Sequence, residues 1–476
     1  MKKLISILLT ALMLIGMTTV VSASNTAEIT TDIVGYSDAR VEKKDLTNVP
    51  SIIEYISNQQ HESKEFKIST PLELDVMSTS GLNYAGITIY LATDLDMSET
   101  SFVSIGGPAT ESSTVPFRGT FDGQGYEVDY INSSATKEGL GFFSNLQGAT
   151  VKNLIIGENS KFKTTGNNRT GGIAANITGD KGMSTTIDNC WNKATIEGVN
   201  FVGGIVAFPC VTKKNGLTVN GETVTEAMRD EAWNNTVHYI KNCTNSGNVT
   251  GTGRDVGGIS GAAQVGMEIT NCRNTGKVTA EGSDATKGVG GIIARAEKSA
   301  MGVKVIGCIN NGEVVSSGTT AAASMIGLVN IPNCEVKDCK NFGAITAANA
   351  TNAAFYVASG TNIVAESGNS GTTVAADDAT LELALKADTL IVGEVLDSTI
   401  PTIPGGSSNE TPDDNKQTEK PNDDTEAADT TAEATEADDT QADEDDKGGC
   451  GAVVATSVTV MSMIALAGAV VCKKRK

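Results

Sequence analysis

A ten-residue phrase with a single cysteine recurs five times, and it constrains the fold more than any other feature of the sequence. Each copy has Ile or Val three residues before the cysteine, Asn two after it, and Ile or Val six after it. Gly stands four residues after the cysteine in four copies, and the first copy has Ala194 there. Successive cysteines are 53, 29, 36 and 31 residues apart, so the unit is about thirty residues long, with one long insertion. The copies are 187–196 (IDNCWNKATI), 240–249 (IKNCTNSGNV), 269–278 (ITNCRNTGKV), 305–314 (VIGCINNGEV) and 336–345 (VKDCKNFGAI), with a weaker copy that lacks the cysteine at 363–374.

Each unit predicts one turn of a coil built from short β-strands. A second phrase, Gly-Gly-Ile, starts at Gly171, Gly203, Gly257 and Gly290, and MIGLV takes its place at Met325. Short runs of Ile, Val and Thr that end in Asn or Gly are typical of strands separated by tight corners, and three such strands fit each unit. A unit this small cannot bury its apolar face alone, whereas stacked units can. The sequence therefore predicts an all-β parallel β-helix (a solenoid) over residues 68–400, with an insertion at 209–237.

Parallel stacking brings equivalent residues of successive turns about 4.8 Å apart. The Cβ atoms of stacked cysteines then stay slightly beyond the usual disulfide separation, and each thiol has two equivalent neighbours. We expect buried free thiols, with partial disulfide formation as the alternative; the off-pattern Cys210 and Cys334 have no convincing pairing. No Cys-x-x-Cys or neighbouring histidine indicates a metal site, and the stacked asparagines are interpreted as structural corner amides. The two columns are Cys190, Cys243, Cys272, Cys308 and Cys339, and Asn192, Asn245, Asn274, Asn310 and Asn341.

These phrases resemble the GLUG-type repeats of bacterial surface proteins, in which Gly-Gly-Ile/Leu alternates with Ile-x-Asn-Cys-x-Asn-x-Gly-x-Val. The stretches 68–78, 87–99, 117–131 and 140–156 resemble the leading segment of such proteins, so the resemblance covers about 68–374. It implies a right-handed parallel β-helix on a bacterium of the Gram-positive type. Proteins with this body include ones regarded as adhesins, proteins of unknown role, and immunoglobulin-A-cleaving metallopeptidases. The last group carries His-Glu-x-x-His in a separate zinc domain, and this sequence has no such motif.

The two ends of the chain predict an exported protein that is held at the cell surface. Residues 1–23 have two lysines, an apolar run and small residues before a cleavage position, as in a secretory signal peptide. Residues 450–472 contain a run of 22 residues without charge, enough to span a bilayer as a helix. The basic tail 473–476 would stay cytoplasmic; a buried core helix is the alternative. The segment 401–449 is strongly acidic and has few apolar side chains, which is typical of a disordered stalk.

Helical segments are expected to cap the solenoid. Residues 24–67 are interpreted as an N-terminal segment and cap, with short helices within 48–60 and 70–78. Thr70, Pro71 and Glu73 have the spacing of a capping box with proline at the first helical position. At the other end, 381–397 is expected to cover the last coil, because an open sheet edge invites pairing between chains.

Three aspartates and two histidines are the candidates for catalysis. Asp94, Asp96 and Asp122 stand at predicted strand ends, where aspartate commonly caps a turn, and we expect that role. The histidines, His61 and His238, are far apart and have no partnered serine or cysteine motif. His238 is expected to be an exposed edge residue.

The insertion is the better candidate for a specific site, because insertions in solenoids protrude from one face. It predicts a hairpin around Asn220 and Gly221 and then a short helix near 225–233. Trp233 is the predicted ligand-binding residue, since an exposed indole stacks on a sugar ring; packing of the insertion on the coil is the alternative. The other tryptophan, Trp191, follows the first motif cysteine.

The sequence favours a surface protein for adhesion, binding a glycan or another host-surface ligand without catalysis, cofactor or metal. A polysaccharide-degrading β-helix enzyme is the alternative, and a passive structural protein of the cell envelope is the third. The net charge of −21 argues against nucleic acid as a partner. Three charged side chains that converge in one groove would favour the enzyme, and an exposed aromatic platform would favour binding.

Overall fold

The computed structural model describes residues 33–371, apart from 108–112, 137–138, 167–168, 179–182, 211–217, 220–221, 224, 226, 228–234, 283, 285, 298–300, 319, 348–351, 354 and 359–363. The predicted signal peptide, stalk, C-terminal apolar helix, basic tail and C-terminal cover lie outside these residues. Within the described part of the chain, no helix is long and apolar enough to cross a membrane.

The fold is a parallel β-helix of the right-handed type, as predicted. Sheet A has ten parallel strands and sheet B has nine. The strands of sheet A are Glu65–Ile68, Thr88–Leu91, Thr120–Asp122, Thr150–Lys152, Thr186–Asp188, Val237–Lys241, Gly266–Thr270, Val303–Ile306, Cys334–Lys337 and Val364–Ser367. The strands of sheet B are Leu95–Asp96, Glu127–Asp129, Ile155–Ile156, Trp191–Asn192, Thr244–Asn245, Arg273–Asn274, Ile309–Asn310, Lys340–Asn341 and Ser370–Gly371.

The other two sides of the coil are sheets C and D. Sheet C has eleven strands, and sheet D is formed by two three-stranded groups that isolated bridges at Ser260 and Ala263 connect. The strands of sheet C are Asn132–Ala135, Lys161–Thr164, Thr170–Gly171, Thr195–Gly203, Val249–Gly257, Val278–Ala280, Gly288–Gly290, Val314–Ser316, Ala321–Ala323, Ile345–Ala347 and Asn352–Ala353. The strands of sheet D are Phe143–Gln147, Ala174–Thr178, Val206–Cys210, Ile293–Ala296, Ile326–Val329 and Tyr356–Ala358. A complete coil thus has four sides, one more than the three strands predicted for each unit.

The fourth side arises because the residue before each motif cysteine breaks the strand. Its backbone is left-handed, with φ of 50° at Asn189, 53° at Asn242, 52° at Asn271, 62° at Gly307 and 53° at Asp338. Asn, Asp and Gly tolerate this conformation better than other residues. The corner separates sheet A from the short strands of sheet B.

The motif asparagines form a continuous column of side-chain hydrogen bonds inside the coil. All five are fully buried. The Nδ2 group of each of the first four donates to the Oδ1 of the asparagine in the next coil at 2.8 to 2.9 Å. The Nδ2 group of all five also donates to the carbonyl oxygen two residues further along the chain, at 2.9 to 3.2 Å. Buried amides need such partners, so the column is a structural element, as predicted.

The Gly-Gly-Ile phrase is a corner and not a strand, and it packs against this column. The first glycine lies in a strand of sheet C, and sheet D starts three residues after it. A Cβ atom on the second glycine would lie only 2.3 to 2.5 Å from the Cγ of a motif asparagine. The two phrases are therefore halves of one interlocking unit. The pairs are Gly172 with Asn192, Gly204 with Asn245, Gly258 with Asn274, and Gly291 with Asn310.

The five motif cysteines stack in a second buried column and are free thiols. Each Sγ lies 3.1 to 3.5 Å from the carbonyl oxygen two residues earlier. The backbone N–H of Cys243 donates to the Sγ of Cys272, and that of Cys272 to the Sγ of Cys308, both at 3.4 Å. Burial raises the pKa of the Cys190 and Cys272 thiols. Such thiols act as core filler between the strands.

His238 contradicts its predicted place at an exposed edge, because its side chain is fully buried. It lies in the row of sheet A that also contains Met267, Val303 and Cys334. Its Nδ1 accepts a hydrogen bond of 3.1 Å from the backbone N–H of Thr185. Cys334 is a free buried thiol in the same row, so it does not pair with Cys210. Burial raises the pKa of the Cys334 thiol to about 12.

Two short helices, Ile52–Ser57 and Pro71–Thr79, cap the first coil as predicted. The second helix has both halves of the capping box: Glu73 N donates to Thr70 Oγ1, and the Glu73 carboxylate accepts from Thr70 N. Leu74 and Met77 of this helix are buried in the core. The cap therefore covers the end of the apolar interior.

Residues 33–50, which we term the strap, run along the outside of the coil. The N–H of Gly35 donates to Asn271 O at 2.8 Å, and the N–H of Tyr36 to Thr244 Oγ1 at 2.8 Å. Ser37 N donates to Asn189 Oδ1 at 2.9 Å. Further along, Lys44 N donates to Gln124 Oε1 at 2.6 Å. The strap thus connects coils whose residues lie up to 236 positions away in the sequence. A short 3₁₀ helix, Asp38–Arg40, lies within it.

Candidate functional site

Asp96 and Asp122 cap turns as predicted, whereas Asp94 bonds to the backbone of the next coil, and the three do not form a common site. Asp122 is almost fully buried and accepts hydrogen bonds from Gln124 N at 3.0 Å and Asn153 Nδ2 at 2.9 Å. Its second oxygen forms an ion pair of 3.1 Å with Lys152. Asp94 accepts from the N–H of Glu127 at 2.8 Å. Asp96 accepts from Ser98 N at 2.9 Å, which lowers the pKa of its carboxyl group.

The tryptophan proposed as a ligand platform, Trp233, lies outside the described residues, as does most of the helix predicted around it. The hairpin predicted in the insertion is present: Thr218–Val219 pairs antiparallel with Glu222–Thr223. It also pairs in parallel with Ser113–Thr114 of a much earlier coil. The insertion therefore extends back along the solenoid.

The other tryptophan, Trp191, is half-buried and covered by neighbouring side chains. The Tyr36 ring of the strap lies 5.5 Å from the indole, and Lys193 Nζ lies 4.4 Å from the ring centroid. The indole Nε1 donates to Ser246 Oγ at 2.9 Å.

His61 also makes local contacts, with Nδ1 accepting from Ser63 N at 3.1 Å. Neither His61 nor Trp191 forms part of an open site.

A buried ionic network on the outer face of sheet D escaped the sequence analysis. Arg295 donates to Asp255 at 2.9 Å and to Glu297 at 2.5 Å, and Gln264 donates to Glu297. Asp255 is fully buried, and burial raises the pKa of its carboxyl group even though Arg295 opposes that rise. Arg295 and Glu297 replace the Phe208 and Cys210 that hold these register positions two coils earlier. In the sequence, the change from apolar to charged residues at equivalent positions of the repeat was the signal that could have indicated this network.

An open groove of about 430 Å³ lies beside the first strand of sheet C, Asn132–Ala135. In the described residues of the preceding coil no strand pairs with this edge, and the chain turns at Met97, where Thr100 N donates to Met97 O at 3.0 Å. The groove occupies the space next to that sheet edge. Its polar lining consists mainly of hydroxyl groups, from Ser98, Thr100, Ser101, Ser104, Ser133, Ser134 and Ser144.

Tyr130 presents the largest exposed aromatic surface at this groove, and the residue is 46% exposed. Its backbone is left-handed, with φ of 59°, which is unusual for a bulky residue. Its N–H donates to Asp129 Oδ1 at 2.7 Å. Asp129 in turn accepts from Asn159 Nδ2 at 2.7 Å and from Ser160 Oγ at 3.1 Å. This network fixes the corner from which the ring projects.

The edge strand adds backbone groups to the groove. Lys161 N donates to Ile131 O at 2.7 Å, and Thr165 N donates to Ala135 O at 3.0 Å. Because alternate residues of a parallel strand bond to opposite sides, the N–H and C=O groups of Asn132 and Ser134 face the groove. None of the described lining residues is charged. The groove thus offers neutral donors, neutral acceptors and the exposed ring of Tyr130 beside the buried Phe102, but no acid or base within its lining.

The described residues contain no cluster of three or more His, Cys, Asp or Glu side chains that could hold a metal ion. Neither protein-family models nor curated proteins match the sequence. Among solved structures, the chain is similar to a crystal structure of a "putative immunoglobulin A1 protease" from Bacteroides ovatus. The sequences are 20% identical, the TM-score is 0.47, and the match covers 66% of this chain and 85% of that chain. A likeness of this level says nothing about activity.

Proposed function

We propose that this chain is a GLUG-type surface protein that binds a neutral glycan in the groove beside Tyr130, without catalysis. The observation that carries the proposal is the exposed Tyr130 ring next to an uncharged, hydroxyl-lined groove of about 430 Å³. Attachment to the cell surface rests on the sequence of the two chain ends. Adhesion to a host or neighbouring cell surface would follow from such binding.

The chemistry of the groove suits a sugar. One face of a pyranose ring is apolar and stacks on an aromatic side chain, while its hydroxyl groups exchange hydrogen bonds with serine hydroxyls and backbone groups. The volume lies within the range of about 300–1,000 Å³ that is typical of small-ligand sites. The backbone network at Asp129 holds Tyr130 in place before a ligand arrives, which reduces the entropy lost on binding.

The polysaccharide-degrading alternative has one observation in its favour, the network of Asp255, Arg295 and Glu297. Glycoside cleavage requires carboxyl groups that reach the glycosidic bond. Asp255 is 0% exposed and Glu297 is 6% exposed, and Arg295 bonds to both. The network therefore favours a structural ion pair over a cleavage site, and the binding function is the better supported.

Tyr130→Ala is expected to weaken glycan binding by about tenfold or more, because it removes the aromatic face. The measurement is glycan-array screening of the full chain in detergent, followed by titration calorimetry with the best ligand. Tyr239→Ala is the matched control, since Tyr239 lies on sheet A, outside the groove lining. Binding that survives Tyr130→Ala would contradict the groove assignment. If the wild-type chain binds no glycan, the passive structural function would be favoured.

A further inference from the structure

A second cavity, of about 520 Å³, lies between the strap and the coil. The strap contributes one wall, and the coil contributes the other. Because both walls are needed, this cavity exists only when the strap is docked. Its lining residues are Lys43, Lys44, Asp45, Leu46 and Thr47 from the strap, and Lys67, Ala92, Gln124 and Tyr126 from the coil.

The lining is basic although the chain as a whole is acidic, with a net charge of −21. Lys43 Nζ lies 3.5 Å from the centroid of the Tyr126 ring. Lys67 Nζ donates to the backbone oxygen of Leu46 at 2.9 Å. Lys44 forms an ion pair with Glu65, which is outside the lining. Three lysines therefore surround this space.

One aspartate also lines the cavity, but its carboxylate is engaged locally. Asp45 Oδ1 accepts from Thr47 N at 2.9 Å and from Thr47 Oγ1 at 2.6 Å. These hydrogen bonds lower the pKa of the carboxyl group. When Glu65 beside the lining is counted with Asp45, two carboxylates stand against three ammonium groups, so the net charge around the cavity is positive and favours an anion.

Gln124 has a buried side-chain donor without a partner in the described part of the chain, and this is evidence for a ligand in the cavity. The residue is 1% exposed, and its Oε1 accepts from Lys44 N at 2.6 Å. Its Nε2 has no hydrogen-bond partner among the described residues. A buried amide N–H without an acceptor is costly, and native structures rarely leave one unpaired. An acceptor atom in the cavity would satisfy it.

We propose that this cavity binds an oxyanion, with Lys43, Lys67 and the Nε2 group of Gln124 as its donors. Carboxylate, sulfate and phosphate oxygens all accept charge-assisted hydrogen bonds from such groups. The source is either the acidic group of a charged sugar or a free inorganic anion. The site is separate from the Tyr130 groove, so it does not rest on the proposed function. An anion bound here would also hold the strap on the coil, since it contacts both walls.

Titration calorimetry of the full chain with sodium phosphate, sodium sulfate and a glucuronate disaccharide tests the proposal. Gln124→Glu keeps the oxygen that accepts from Lys44 N but replaces the free donor with a negative oxygen. Lys43→Gln removes a charge from an exposed residue that makes no ion pair among the described residues. Each variant is expected to weaken anion binding by about tenfold or more. Lys304→Gln, an exposed lysine of sheet A, is the matched control and should bind as the wild type does.

The outcomes separate the sources of the anion. Binding of the inorganic anions alone would support the pocket with a free anion as its ligand, and tighter binding of the disaccharide would support an acidic sugar. The proposal is overturned if the wild type binds none of the three. It is also overturned if both variants, shown to be folded by circular dichroism, bind as well as the Lys304→Gln control.

Discussion

Replacing Gly258 with alanine is expected to lower the free energy of unfolding by about 3 kcal/mol or more. A Cβ atom at this position would lie 2.1 Å from the carbonyl oxygen of Gly291 and 2.4 Å from Cγ of Asn274. Neither atom can move freely, because one belongs to the backbone of the next coil and the other to the buried asparagine column. Relief of the overlap therefore requires neighbouring coils to separate. Urea unfolding followed by far-ultraviolet circular dichroism measures the effect.

Gly86→Ala is the matched control for this substitution. Gly86 has φ of +74°, and no atom lies within 4 Å of the position that its Cβ would occupy. Alanine there would meet only the backbone cost of the left-handed conformation, about 1–2 kcal/mol. A loss of stability at Gly258 no larger than that at Gly86 would show that the added Cβ atom meets no obstacle from Gly291 and Asn274. That result would contradict the interlocking of the two repeated phrases.

His238 is expected to make the protein lose stability in acid, by up to about 4 kcal/mol between pH 6.5 and pH 3. Burial lowers the pKa of its imidazole to about 3, whereas an unfolded histidine titrates near 6.5. Between these values the unfolded chain binds a proton that the folded chain does not, so stability falls as the pH falls. Above pH 6.5 both states are neutral, and the contribution to the pH dependence vanishes.

The comparison of wild type with His238→Met isolates this effect. Methionine is the residue at the same register position in the next coil, Met267, so the variant is expected to fit the row. Between pH 7 and pH 4, the unfolding free energy of the wild type should fall relative to that of His238→Met as the pH falls, because only the wild type carries the histidine penalty. His61→Gln is the control and should keep the wild-type profile, since His238 is still present. Parallel curves for wild type and His238→Met would contradict the assignment.

The repeated part of the fold was predictable from sequence because its causes are local or periodic. The same residue types recur where a left-handed corner or a buried amide recurs, as at Asn242 and Asn245, and stacking of equal units follows from that. The capping box of Thr70 and Glu73 was predictable for the same reason. The fourth side of the coil was missed, since the sequence pattern does not show that the left-handed residue divides one strand into two.

The features that do not repeat were not predictable from the pattern. The strap contacts, such as that of Gly35 with Asn271, join positions with no shared motif. The groove lies where the repeat has not begun, so Tyr130 had no motif to mark it. His238 was different: it stands two residues before Ile240, and alternate residues of a strand share a face. Because Ile240 faces the core, His238 should face the core as well, and its expected place at an exposed edge was wrong for that reason.

The central claim is that the repeats stack so that their cysteines form one buried column of unpaired thiols. Alkylation of the non-reduced protein, first in its native state and then in denaturant, followed by mass spectrometry, tests it most directly. The five motif cysteines should remain unmodified in the native protein, because all are buried, and should all be alkylated after denaturation. A disulfide between any two of them, or ready alkylation of several in the native protein, would contradict the stacked column.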